Sequence, residues 1–171
     1  EIRKSAFSGY SKLTSIEIPN GITQIADEAF SECSGLRKVT LGNSVTSIGE
    51  SAFNSCIELA EIEIPQSVSH IKTGAFRGCE SLKSIKIPNT VICIGSAAFA
   101  CSGLRSINIP NSVKSIESCT FWNCEELTSA TIGEYVETIG FEAFSNCIKL
   151  EGIKIPNSVT SIDYYAFFKT K

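Results

Sequence analysis

Cysteine is the residue type whose number and spacing could carry chemistry in this chain. Eight cysteines occur among the 171 residues. A fixed period of roughly 20–50 residues is typical of stacked repeats, so cysteines that keep such a period should lie one above another. The column they form could make disulfide bonds, bind a metal or stay reduced. Six of the eight recur at intervals of 22 or 23 residues: Cys33, Cys56, Cys79, Cys101, Cys124 and Cys147.

The geometry of stacked repeats favours reduced thiols. Side chains from neighbouring parallel strands point in the same direction about 4.8 Å apart, whereas a disulfide needs Cβ atoms about 3.8 Å apart. Zinc sites commonly use paired ligands such as CxxC, and the chain contains no such pair. Because free cysteine is among the most buried residue types, we predict a buried column of six reduced thiols. Cys93 and Cys119 lie outside it, four repeat positions apart, so we expect no bond between them.

Other residue types offer little for catalysis. His70 is the only histidine, which rules out an HExxH motif, and the chain has no GxGxxG or P-loop motif. Glu61 and Glu63 are two positions apart in an alternating stretch, so both carboxylates should lie on one face of a strand. A solvated strand face is the ordinary interpretation of such a pair. We therefore predict no catalytic, cofactor or metal site and a chain that is not an enzyme, with His70 facing solvent.

The elements that must position these residues follow the same period. In each repeat an apolar–polar–apolar stretch such as 62–64 predicts a short strand. Pro65 ends that strand, because proline lacks an N–H donor and restricts the residue before it. Spacings of three from Phe76 to Cys79 and Leu82 favour short 3₁₀ or helical turns. The period is marked by phenylalanines: Phe7, Phe30, Phe53, Phe76, Phe99, Phe121, Phe144 and Phe167.

A single repeat cannot fold by itself, because the apolar surface it buries does not offset the entropy of ordering its residues. Repeats must therefore share one core by stacking. We predict a mainly β solenoid over residues 1–171, a single array of about seven turns with one short parallel strand and short 3₁₀ or helical turns in each repeat. One repeat is short, since Phe-Ala-Cys at 99–101 replaces Phe-x-x-Cys. We expect Cys101 to keep the column position and the chain to tighten between Phe99 and Leu104.

The repeat pattern LxxIxIPxSVTSIGxxAFxxC resembles the BspA-like, or treponemal-type, class of leucine-rich repeats. It runs from Leu36 to Cys56 with Gly42 in place of proline, and from Leu150 to Phe167 with Asp163 in place of glycine. The resemblance covers essentially the whole chain. It implies a right-handed solenoid and a protein-binding or adhesion role in a cell-surface or secreted protein. A structural spacer and an intracellular scaffold, which unpaired thiols would suit, are the alternatives.

The amino-acid composition limits the classes of partner that we expect for this chain. The net charge of −3 gives no basic surface for nucleic acid, and no apolar run is long enough to span a membrane. The chain lacks methionine and both ends fall within a repeat. We therefore expect a segment of a longer chain without its terminal caps, which could self-associate through its ends. The expected partner is a protein or another extracellular macromolecule.

Two surfaces are candidates for binding. Solvent-facing positions on the strands carry charges in patches: Lys38, Glu61, Glu63, Lys83, Lys86 and Arg105. A solvated face without a partner is the alternative for these residues. The second surface is a group of aromatic side chains outside the core pattern of the later repeats, where Phe141 and Tyr164 share one repeat position and should stack. It comprises Trp122, Tyr135, Phe141, Tyr164, Tyr165 and Phe168. It could be an interface, including one for self-association, or it could cover the less regular repeats or pack on a further domain.

Overall fold

The computed structural model describes residues 1–171 as a parallel β-solenoid with a repeat of about 23 residues and no helix. The predicted fold class is confirmed. The structure adds a second strand to most repeats, and the strand predicted in every repeat is absent at residues 84–86 and 153–155. The longer strands are β1 (Ser15–Glu17), β3 (Lys38–Thr40), β5 (Glu61–Glu63), β8 (Ser106–Asn108) and β10 (Ser129–Thr131). The shorter strands are β2 (Gln24–Ile25), β4 (Ser47–Ile48), β6 (His70–Ile71), β7 (Cys93–Ile94), β9 (Ser115–Ile116), β11 (Thr138–Ile139) and β12 (Ser161–Ile162).

These strands build four parallel sheets, in the orders β1-β3-β5, β10-β8, β2-β4-β6-β7 and β12-β11-β9. Equivalent positions of successive repeats are partners, as in Ile16 with Val39 and Val39 with Ile62. The apolar central residue of each three-residue strand turns inward, while its two neighbours are exposed. The sequence did not predict the shorter strands, because a strand of two residues is too short to show an alternation of apolar and polar side chains.

A column of phenylalanine rings runs through the core. Ring centroids of successive repeats are 5.1–5.7 Å apart, and the planes lie within 15° of parallel. Phe30, Phe53, Phe76, Phe99, Phe121 and Phe144 are completely buried. Offset-stacked rings at this separation attract each other in addition to the apolar area they bury.

The turn around each phenylalanine is not the predicted 3₁₀ or helical turn. Glu28 lies two residues before Phe30 and Glu32 lies two residues after it. Both have left-handed backbones, with φ of 57° and 60°. The N–H groups of Glu28, Phe30 and Glu32 donate to carbonyls of the next repeat at 2.7–2.8 Å, whereas those of the residues between them donate three residues back. A helix cannot propagate through left-handed residues, so these bonds join one repeat to the next instead.

The shortened repeat corrects the prediction for Cys101. Cys101 takes the left-handed position two residues after Phe99, with φ of 57°, and it is only partly buried. Ser102 fills the buried column position and is 4% exposed, because the structure preserves the spacing from Phe99 and not the residue type. The deleted residue therefore falls between Ser102 and Leu104.

The ring column passes through the shortened repeat without interruption, at 5.4 Å before Phe99 and 5.7 Å after it. Both strand ladders stop there. Residues 84–86 form no strand, and β7 and β9 belong to different sheets. The core register is thus retained, as expected, while the strand face divides into two parts.

The residue four positions before each buried core phenylalanine alternates along the chain between glycine and a residue with a side chain. A Cβ atom added to Gly95 would lie 2.5 Å from the Thr73 nitrogen and 2.8 Å from the Lys72 carbonyl carbon. Backbone atoms cannot yield cheaply at such distances, so Gly95, and likewise Gly49 and Gly140, leave no room for a side chain. The series along the chain is Ala26, Gly49, Lys72, Gly95, Glu117, Gly140 and Asp163.

Replacing Gly95 with alanine should therefore destabilise the array, whereas Lys72→Ala at the equivalent position of the preceding repeat should not. We expect Gly95→Ala to lower the free energy of unfolding by about 1–3 kcal/mol, as for overpacked sites, and Lys72→Ala to change it by less than about 0.5 kcal/mol. Urea unfolding followed by circular dichroism measures both. Equal stabilities of the two variants would contradict the steric alternation.

Candidate binding surfaces

An open groove of about 950 Å³ lies across β1, β3 and β5. We call it the strand-face groove and define it by the exposed side chains of Glu17, Lys38, Thr40, Glu61 and Glu63. Each of them flanks an inward-facing central residue of its strand, so strand alternation aims them outward. Three residues of the predicted charged surface, Lys38, Glu61 and Glu63, are thus brought together.

Strand register sets the charge pattern of this groove. Lys38 and Glu61 are direct partners on β3 and β5, and the Lys38 Nζ lies 3.0 Å from a Glu61 carboxylate oxygen. Glu17, Thr40 and Glu63 form the neighbouring row. Neither Glu17 nor Glu63 forms an ion pair within the chain. The groove therefore carries a net negative charge.

The other predicted strand-face residues lie apart from this groove. Lys83 borders a smaller depression of about 330 Å³ together with Glu80 and Cys101, and its ammonium group donates to the Glu80 carbonyl at 2.7 Å. Lys86 and Arg105 are exposed but line neither depression. Residues 84–86 form no strand and β8 belongs to another sheet, so none of these three residues lies on the β1-β3-β5 sheet.

The aromatic residues form one small cluster and several isolated side chains. Tyr165 meets Phe141 edge-on at 6.2 Å and Phe168 at 5.4 Å. The predicted stacking of Phe141 on Tyr164 is wrong: Tyr164 is 80% exposed and has no aromatic neighbour. Tyr165 has a left-handed backbone with φ of 58°, and its ring takes the place beside Phe141 instead.

Trp122 and Tyr135 stand outside this cluster. Trp122 is half-buried. In other repeats the position of Tyr135 holds a serine or threonine. Its hydroxyl donates to a valine carbonyl of the preceding repeat, as Ser67 does to Val45 at 2.6 Å. A phenol is too large for that bond, so the Tyr135 ring is exposed and lies 5.0 Å from the Lys114 ammonium.

Histidine and carboxylate groups show no arrangement for metal binding. No group of three or more His, Cys, Asp or Glu side chains is placed to hold an ion. His70 is exposed, as predicted, and its Nδ1 lies 2.8 Å from the Ser69 hydroxyl.

The buried cysteine column has a hydrogen-bonding role that sequence reasoning missed. The thiol of Cys56 donates to the Phe30 carbonyl at 3.1 Å, and that of Cys79 donates to the Phe53 carbonyl at 3.2 Å. Cys33, Cys124 and Cys147 make the same contact with the phenylalanine of an earlier repeat. The signal for this contact in the sequence is that phenylalanine and cysteine recur with the same period. All eight cysteines are unpaired, as predicted for the column.

Burial keeps these thiols protonated. It raises the pKa of Cys56 to about 12, with a smaller contribution from Cys33 nearby, and that of Cys124 to about 11. The pKa of Cys79 lies well above its ordinary value for the same reason. Since the thiolate is the reactive form, we expect the column thiols to react slowly in the folded chain.

Comparison with known proteins identifies the repeat. The profile described as BspA type leucine rich repeat region, with six copies, matches residues 1–128 and 52–171. The chain belongs to the BspA-type leucine-rich repeat family. The predicted family membership is thereby confirmed, and the chain is a repeat protein. Among curated protein sequences, none is significantly similar to it.

Solved structures agree with this BspA-type assignment. A leucine-rich repeat protein from Bacteroides ovatus is 33% identical, with a TM-score of 0.88 over 91% of this chain and 43% of its own. The T. pallidum leucine-rich repeat protein is 32% identical, with a TM-score of 0.86 over 94% and 79%. A leucine-rich cell surface protein from Faecalibacterium prausnitzii shares the fold at 21% identity and a TM-score of 0.51, over 99% and 75%. This BspA-type chain thus spans less than half of the B. ovatus protein.

This BspA-type array contains no helix with the length and apolarity needed to cross a membrane.

Thiol labelling should distinguish the column from the other cysteines of this BspA-type array. At pH 8 we expect iodoacetamide to modify Cys93, Cys101 and Cys119 in the folded chain, because these three are not fully buried. All eight should react in guanidinium without reductant. Peptide mass spectrometry locates the modified residues. Labelling of folded Cys79 as fast as Cys93 would contradict the buried column, and fewer than eight reactive thiols after denaturation would show a disulfide.

Proposed function

We propose that this BspA-type array is a non-enzymatic module that binds protein through the strand-face groove. The observation that carries the proposal is a groove of about 950 Å³ whose outward side chains stand in register on three paired strands. Strands hold their side chains more precisely than loops do, so the groove offers a preorganised surface. Binding to such a surface loses less conformational entropy than binding to a mobile one.

The polar side chains of the groove are suited to binding a polypeptide directly. Its floor contains exposed carboxylates, a hydroxyl and an ammonium group, which form hydrogen bonds and charge pairs with a polypeptide. Thr40 lies at the centre, between Glu17 and Glu63. A large side chain at position 40 would therefore fill the groove without touching the core.

We place the module, as part of the same proposal, in an adhesive protein at the cell surface or outside the cell. Membership in the BspA-type family supports this location. The eight unpaired cysteines favour a second candidate, an intracellular scaffold that uses the same groove, because reducing compartments keep thiols free.

A phage-displayed peptide library selected on the immobilised chain tests the binding proposal. We expect Thr40→Arg to weaken the selected peptides at least tenfold in calorimetric titration, because arginine there occupies the groove between β1 and β5. Thr131→Arg is the matched control, since Thr131 holds the same strand position on β10, outside the groove. It should bind like the parent.

Two results would contradict the proposal. Selected peptides that bind Thr40→Arg as tightly as the parent would place recognition elsewhere on the array. Equal losses in Thr40→Arg and Thr131→Arg would show that the groove over β1, β3 and β5 has no special role. Circular dichroism of both variants confirms that they are folded.

A further inference from the structure

The strand-face groove has a charge and a spacing that fit one kind of segment. We infer that it binds an extended peptide in the polyproline II conformation that carries two basic residues three positions apart. This inference rests on the proposed function and names the class of partner for the same groove.

Charge selects a basic partner. The groove contains the carboxylates of Glu17, Glu61 and Glu63 against the single ammonium group of Lys38. Glu61 already pairs with Lys38 at 3.0 Å. Glu17 and Glu63 are exposed and pair with no cation of the chain. Two unpaired carboxylates in one groove complement two cationic side chains.

Spacing selects the conformation. Glu17 and Glu63 occupy one row two strands apart, with Thr40 between them. Neighbouring strands are about 4.8 Å apart, which puts the two backbone positions about 9.6 Å from each other. A polyproline II segment has three residues per turn and rises about 3.1 Å per residue, so residues three apart face the same side at about 9.3 Å. A β-strand directs residues three apart to opposite faces.

The next position in this row limits the length of the basic motif. Lys86 is the equivalent of Glu63 in the following repeat, and the strand ladder stops at residues 84–86. A third cation placed beyond Glu63 would approach the Lys86 ammonium. The groove therefore favours a pair of basic residues over a long basic run.

Three peptides of identical composition test the spacing. Fluorescein-labelled KPPKPP, KPKPPP and KPPPPK have the same charge and proline content, with lysines three, two and five residues apart. We expect KPPKPP to bind at least fivefold tighter than either of the others in fluorescence anisotropy at 50 mM NaCl. All proline-rich peptides of this kind adopt polyproline II, so the differences report spacing.

A pair of variants tests the carboxylates. Glu17→Gln combined with Glu63→Gln should weaken KPPKPP about tenfold, since each exposed charge pair is worth a severalfold change in affinity. Glu32→Gln combined with Glu134→Gln removes the same charge from exposed positions outside the groove and should leave affinity within twofold of the parent.

Equal affinities for the three peptides, no measurable binding of any of them, or equal losses in the two double variants would each overturn the inference. The outcome is separable from the proposed function. If library-selected peptides lose affinity in Thr40→Arg while KPPKPP does not bind, the groove binds peptides of another class and the proposed function stands.

Discussion

The stacking of one phenylalanine ring on the next is the interaction on which the rest of this structure depends. The rings lie 5.1–5.7 Å apart along the whole array. Left-handed residues on both sides of each ring turn alternate N–H groups toward the next repeat. Column thiols then bond to phenylalanine carbonyls. Ring packing and hydrogen bonding therefore impose one backbone geometry on every repeat, and the register of the strand face follows from it.

The shortened repeat shows which part of the structure tolerates change. Loss of one residue leaves the ring column continuous at Phe99 and puts Ser102 in the cysteine position. Both strand ladders stop at this repeat, and residues 84–86 form no strand. The groove over β1, β3 and β5 reaches Ser84, whereas Lys86 and Arg105 lie outside it.

The sequence predicted the elements that its period expresses directly: the repeat, the core phenylalanines, three of the five proline-terminated strands and the unpaired thiols. It failed where geometry and residue type disagree. Cys101 matched the column by identity, whereas the fixed distance from Phe99 assigned that position to Ser102. Tyr164 shared a repeat position with Phe141, but the left-handed backbone of Tyr165 placed the neighbouring ring there. Of the predicted binding residues, Lys38, Glu61 and Glu63 lie together because the strand register aligns them. The sequence pattern does not show that Lys83 and Arg105 lie outside this register.

The stability of a Phe76→Ala variant tests most directly whether the ring column holds the array together. Phe76 is completely buried between Phe53 and Phe99, so denaturant unfolding should show a loss of about 3–5 kcal/mol relative to the parent. Phe168→Ala, which removes a ring that is 47% exposed, should cost much less, and Phe76→Leu provides an intermediate if the alanine variant does not fold. A Phe76→Ala array as stable as Phe168→Ala would contradict the central role of the column.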